Sequence, residues 1–173
     1  METTDKKIEV SQIKNNGIEK LAIITGVIMS ACYIVYFLIM ESLGLATVPE
    51  YRIANFVIQI AAVAISIKFY KSSSKGNFSY LEGFALGCFS SFVSSILFAG
   101  FIYIYFLKIN PELLPELMNN SSMMGKYLTP FSASITVAIE GNIAGLIISF
   151  AFMQFFKDDA LHNPLKKKSN EVE

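Results

Sequence analysis

Four long apolar segments, over roughly residues 18–43, 51–70, 81–107 and 131–156, decide what this 173-residue chain can fold into. Each reaches the ~20 residues that a helix needs to cross the hydrocarbon core of a bilayer. A backbone at that depth must satisfy its own N–H and C=O groups, so each segment is read as a membrane-spanning α-helix. A soluble bundle would show polar residues at helical spacing around half of each segment, and here they are only scattered. Charged residues make up 16% of the chain, against about 25% in ordinary soluble domains. The expected fold is an all-α membrane protein: a four-transmembrane-helix bundle over 18–157, with a tail over 1–17 and a basic tail over 158–173. The first segment exceeds the ~7–15 apolar residues of a signal peptide, and Leu45–Ala46–Thr47 is a poor cleavage site, so it reads as a retained anchor.

The basic residues set an orientation. Lys6, Lys7, Lys14 and Lys20 precede the first span, Lys68, Lys71 and Lys75 lie between the second and third, and Lys157, Lys166, Lys167 and Lys168 follow the fourth. Four spans bring these three regions to one side, and only Arg52, Lys108 and Lys126 fall on the other. The positive-inside rule then places both termini in the cytoplasm, and the expected location is the cytoplasmic membrane. Lys166–Lys168 can also attract anionic headgroups, at about 1 kcal/mol per charge. The lipid bilayer is the expected partner, and a net charge of zero gives a nucleic-acid partner no electrostatic support.

Little in the chain resembles a reactive centre. Cys32 and Cys88 stand in different spans without CxxC spacing, and are read as buried free thiols. His162 is alone in the C-terminal tail, so neither a metal nor a cofactor is expected. There is no HExxH, phosphate-binding loop or nucleophile elbow. These absences point away from an enzyme.

Glu140 is the exception to an otherwise plain apolar pattern. It is the only acidic residue near the middle of a span. A carboxylate at bilayer depth costs about 2.5–3.5 kcal/mol on insertion scales when charged, so such a residue is either neutral and hydrogen-bonded or functional. Asn55 and Gln59, at i and i+4, share a face of the second span. At 1.5 Å per residue Gln59 lies about 12 Å below Tyr51 and Glu140 about 14 Å below Phe131. Ser30 and Cys32 in the first span, and Ser94 and Ser95 in the third, fall near that level. Glu140, Gln59, Asn55, Ser94 and Ser95 therefore form a candidate intramembrane polar layer, with Glu140 donating to the Gln59 oxygen. Asn142, two residues from Glu140, faces another direction.

Small residues recur every fourth position on three spans. Gly83, Gly87, Ser91, Ser95 and Ala99 line one face of the third, Ala22, Gly26 and Ser30 of the first, and Gly141, Gly145 and Ser149 of the fourth. Lipid supplies no hydrophobic drive between helices, so close packing through such faces holds them together. The stripes predict close crossings within the bundle, and leave a homo-oligomer or another membrane protein open as a partner. Ser79 and Glu82 have capping-box spacing at the start of the third span, after a turn at Gly76–Asn77. In the long connection over 108–130, Pro111 opens a short amphipathic helix with Leu113, Leu114, Leu117 and Met118 apolar. It is read as a cover lying along the interface, with a lid or docking segment as the sharper alternative.

The run Gly76-Asn77-Phe78-Ser79-Tyr80, followed by Gly83-Phe84, Gly87, a set of serines, Tyr103 and Asn110-Pro111, has a wider likeness. With the four-span layout, it resembles the bacterial membrane proteins grouped as domain-of-unknown-function family 4199, over roughly residues 18–157. The resemblance implies a four-span membrane fold and carries no reaction or catalytic residue.

Two functions compete. The favoured expectation is a non-enzymatic membrane component that packs with itself or another membrane protein. The alternative is a small proton-linked transporter or permease that uses Glu140, since membrane carboxylates mark such pathways. A membrane enzyme comes third.

Overall fold

The computed structural model describes residues 2–46, 51, 53–73, 79–120 and 129–162. The chain forms α1 (Glu2–Ser42), α2 (Ile53–Ser73), α3 (Tyr80–Ile104), a π-helical turn (Tyr105–Ile109), α4 (Leu113–Asn120) and α5 (Pro130–His162). Among the described residues there is no strand. Four stretches are long and apolar enough to cross a membrane: Gly17–Ser42, Ile53–Ser72, Tyr80–Ile109 and Pro130–Phe155. They match the expected spans to within a few residues. The segment expected as a tail over 1–17 instead continues α1 back to Glu2. Gly76–Asn77 and Lys166–Lys168 lie outside the described residues.

The bundle is apolar outside and serine-rich inside. Ile28, Val35, Ile65, Leu81 and Ile147 are among the large side chains that stand more than half exposed on the outer faces. Water would penalise such a surface and lipid does not. Inside, Ser30, Ser66, Ser90, Ser94, Ser134 and Ser149 are buried. Each donates its hydroxyl to a carbonyl three or four residues back in its own helix. A serine satisfied this way needs no cross-helix partner and acts as a small spacer.

The spacers let three helices approach closely. A Cβ at Gly26 would come 2.8 Å from the backbone carbonyl oxygen of Ser90, so α1 lies almost on the α3 backbone there. Between α3 and α5 the stripes mate in antiparallel order, Gly87 on Ser149, Ser91 on Gly145 and Ser95 on Gly141. Each level sets one glycine against one serine. The interfaces of α3 with α5 and α1 are the most extensive in the fold, and α2 packs more sparingly against all three. The main core runs along the bundle from Ile67 and Met153 to Leu113 and Leu114, and its aromatic residues Tyr33, Phe98, Tyr105 and Phe106 gather in the half nearer α4. Phe37 meets Tyr105 edge-on at 5.1 Å in that half.

The ends of the spans are closed locally. Gly44 has φ +71, Leu45 N–H donates to Met40 O, and Gly44 N–H donates to Glu41 O. This is a Schellman end, in which the left-handed residue is best a glycine. Gly44→Ala should cost about 1–2 kcal/mol from the left-handed backbone alone, because a Cβ there meets nothing within 4 Å. Thermal unfolding in detergent checks this. At the start of α3, Ser79 is extended, and the Glu82 carboxylate accepts the Ser79 N–H and the Tyr70 hydroxyl, each at 3.4 Å. These contacts place the cap pair between the end of α2 and the start of α3. At the other end Asn110 Nδ2 donates to Glu41 Oε1 at 3.0 Å and ties the π-helical turn to α1.

The connection after α3 is more deeply seated than an interfacial cover. Leu113 and Leu114 are buried in the main core, and Leu117 packs against it.

Candidate functional site

A partly open cavity of about 270 Å³ lies among the spans, where α2 packs only sparingly against α5. All four spans contribute to its wall, and Leu117 of α4 lines it as well. On α5 the lining positions Ala133, Val137, Glu140, Gly141 and Ala144 recur at three- and four-residue steps, which places them on one helical face. Glu140 stands one residue, about 100° of helix turn, from Gly141, which is packed on α3. That rotation brings Glu140 to the cavity while its neighbour holds the helix crossing.

Four members of the expected polar layer line this cavity: Glu140, Gln59, Asn55 and Ser95. Ser94 does not. It is fully buried, and its hydroxyl donates to Ser91 O at 3.0 Å. It lies at the expected depth, but one residue of helical rotation takes it off the face that Ser95 shares with Gly87 and Ser91. Gln59, only 4% exposed, donates from Nε2 to the backbone carbonyl of Gly141 at 2.9 Å. Gln59 is thus bonded to the peptide beside Glu140. Only the amide nitrogen can donate to a carbonyl, so Gln59 Oε1 remains as its acceptor. Glu140 itself is half-buried. Asn142 Nδ2 donates to Ala138 O within α5 and stays out of the cavity wall.

Sequence reasoning missed Tyr33. It is 6% exposed, lines the cavity, and its hydroxyl has no hydrogen-bond partner. Asn55 Oδ1 is likewise buried and unpartnered. A buried polar atom left without a partner costs about 1–3 kcal/mol, so two of them on one cavity wall stand out from the self-satisfied serines around them. Phe37 and Phe98 complete an aromatic side of the cavity, and Tyr33 meets Phe98 at 5.5 Å. The signal for this wall was present in Gly26, Ser30, Tyr33 and Phe37, which share one face of α1.

Cys32 is exposed on the outer face of α1, and Cys88 is partly buried. The expectation of two buried thiols therefore fails for Cys32, which points away from the close α1–α3 contact. No group of three or more metal-ligating side chains occurs among the described residues.

Helices of spanning length, an outer surface of large apolar side chains and a partly polar cavity between the spans define a multi-pass helical membrane protein. The chain belongs to the family described as "Protein of unknown function (DUF4199)", which it matches over residues 20–158. Comparison with curated proteins and with solved structures gives no match.

Proposed function

We propose that the protein is a small non-enzymatic permease that holds a solute in the cavity beside Glu140 and passes it across a bacterial cytoplasmic membrane, with both termini inside. The cavity carries this reading: an acidic residue lines an internal space together with Gln59 and Asn55, where sealed packing would have surrounded it with apolar side chains. Carboxyl groups held at such depth commonly belong to substrate and ion pathways. The orientation rests on the eleven basic residues that the spans gather on one side, against three on the other. The small-residue stripes of α1, α3 and α5 are occupied by one another inside the bundle, so they add no argument for a role in binding another membrane protein.

A thiol in the cavity wall tests the reading. With Cys32 and Cys88 replaced by alanine, Val137→Cys should react with a membrane-impermeant thiol reagent from each face of sealed vesicles in turn. Reaction from one face only, or from neither, removes the case for carriage.

A further inference from the structure

The cavity is open on one side, and the exposure of its wall shows which. Phe56 of α2 and Thr136 of α5 line it and are exposed on the outside of the bundle. Tyr33 of α1, Phe98 and Ile102 of α3 and Phe106 of the π-helical turn line it and are buried. α2 meets α5 over the smallest of its interfaces with the other spans. The opening therefore lies between α2 and α5. Phe56 is the fourth residue of α2 and Thr136 the seventh of α5. At 1.5 Å per residue they stand about 5 Å and about 9 Å in from the helix ends. Beside a spanning helix that depth belongs to lipid chains.

The opening leads to a space walled mostly by carbon. Its polar groups are largely engaged already. Thr136 Oγ1 donates to Ser132 O at 2.9 Å, Gln59 Nε2 donates to Gly141 O, and Glu140 has an interaction of its own. The Tyr33 hydroxyl and Asn55 Oδ1 lack partners but are buried within the wall. A hydrocarbon chain entering here leaves every one of these bonds intact. It also supplies contacts that the lining of an empty apolar space forgoes. A dry cavity of about 150 Å³ holds the six carbons of benzene, so about 270 Å³ takes on the order of ten. That is a substantial part of one lipid tail.

We infer that the cavity takes up an acyl chain of the surrounding lipid through a portal between α2 and α5. The inference is independent of the permease reading. Where a solute is carried, tail and solute compete for one space.

The chain contains no tryptophan, so a single introduced one reports its own surroundings. The full chain with Phe98→Trp, on the buried α3 wall of the cavity, is reconstituted in phosphatidylcholine vesicles whose chains are dibrominated or unmodified. Bromine quenches tryptophan fluorescence at contact. Ile147→Trp, exposed on the outer face, sets full quenching, and Tyr70→Trp, buried away from the cavity, sets the baseline. Phe98→Trp should be quenched at least half as strongly as Ile147→Trp. If that variant fails to fold, Phe106→Trp makes the same measurement. Quenching no greater than that of Tyr70→Trp overturns the inference. Quenching by aqueous iodide in place of brominated chains marks a water-filled space, which overturns the acyl chain and leaves the permease reading standing. To test the portal, Phe56→Cys and Thr136→Cys are added to the reporter, with Cys32 and Cys88 replaced by alanine, and joined by a bis-maleimide. Joining them should remove at least half of the quenching, and quenching unchanged by it overturns entry between α2 and α5.

Discussion

Gly145→Val should lower the stability of the bundle by on the order of 3 kcal/mol. A Cβ at Gly145 overlaps the Ser91 side chain and comes 3.1 Å from Gln59 Nε2. Extra methyl groups in a packed core cost about 1–3 kcal/mol, and disturbing the buried Gln59–Gly141 bond adds up to a similar amount. Relief is unavailable locally, because Gly141 and Ser149, one turn to either side, are packed on α3 as well. The exchange Ser91→Gly with Gly145→Ser should recover most of the loss. It keeps one hydroxymethyl group at that level, and the Ser91 hydroxyl has no partner to lose. Thermal unfolding in detergent ranks the three proteins. Wild-type stability for Gly145→Val would show that α3 and α5 are not held this closely.

Glu140→Gln should separate stability from function with opposite signs. The amide has nearly the shape of the carboxyl and cannot become charged, so a cost of about 2.5–3.5 kcal/mol for a carboxylate at bilayer depth is removed. Unfolding temperature should therefore hold or rise. On the permease reading, solute flux through proteoliposomes should cease, because the acidic group that lines the cavity is gone. Such a trade is expected where a site is kept at the expense of stability. A variant equal to wild type in flux and stability would dismiss both a transport role for Glu140 and a critical polar layer.

The spans were legible because bilayer depth imposes a length and composition that no other constraint mimics, as the match of Tyr80–Ile109 to a predicted 81–107 illustrates. The stripes were legible for the same reason: close approach demands small residues at a fixed step. Their mates were not. Nothing local tells Gly145 that it will meet Ser91, since that register depends on how two loops close. Ser94 and Ser95 share a depth but not an azimuth, and depth was the coordinate used to compare spans. Cys32 failed in the same way, being deep in the membrane yet on the outer face. Tyr33 looked like one more apolar residue, and only its surroundings reveal a hydroxyl without a partner. The π-helical turn at Tyr105–Ile109, which includes the cavity residue Phe106, has no local signature that helical periodicity can detect.

The glycine-on-serine ladder between α3 and α5 also bears on which part of the molecule can act as a door. Sliding α5 by one turn sets Ser91 against Ser149 in one direction and Gly87 against Gly145 in the other, an overlap or a gap in place of a fit. With Gly26 seated on the α3 backbone, α1, α3 and α5 are locked into a single frame. On the permease reading, the leaf that remains to swing is α2, the spanning helix with the least extensive contacts to that frame. It carries Asn55 and Gln59 with it, so on that reading an opening of α2 would withdraw two of the cavity's polar side chains from Glu140 in the same movement that uncovers it.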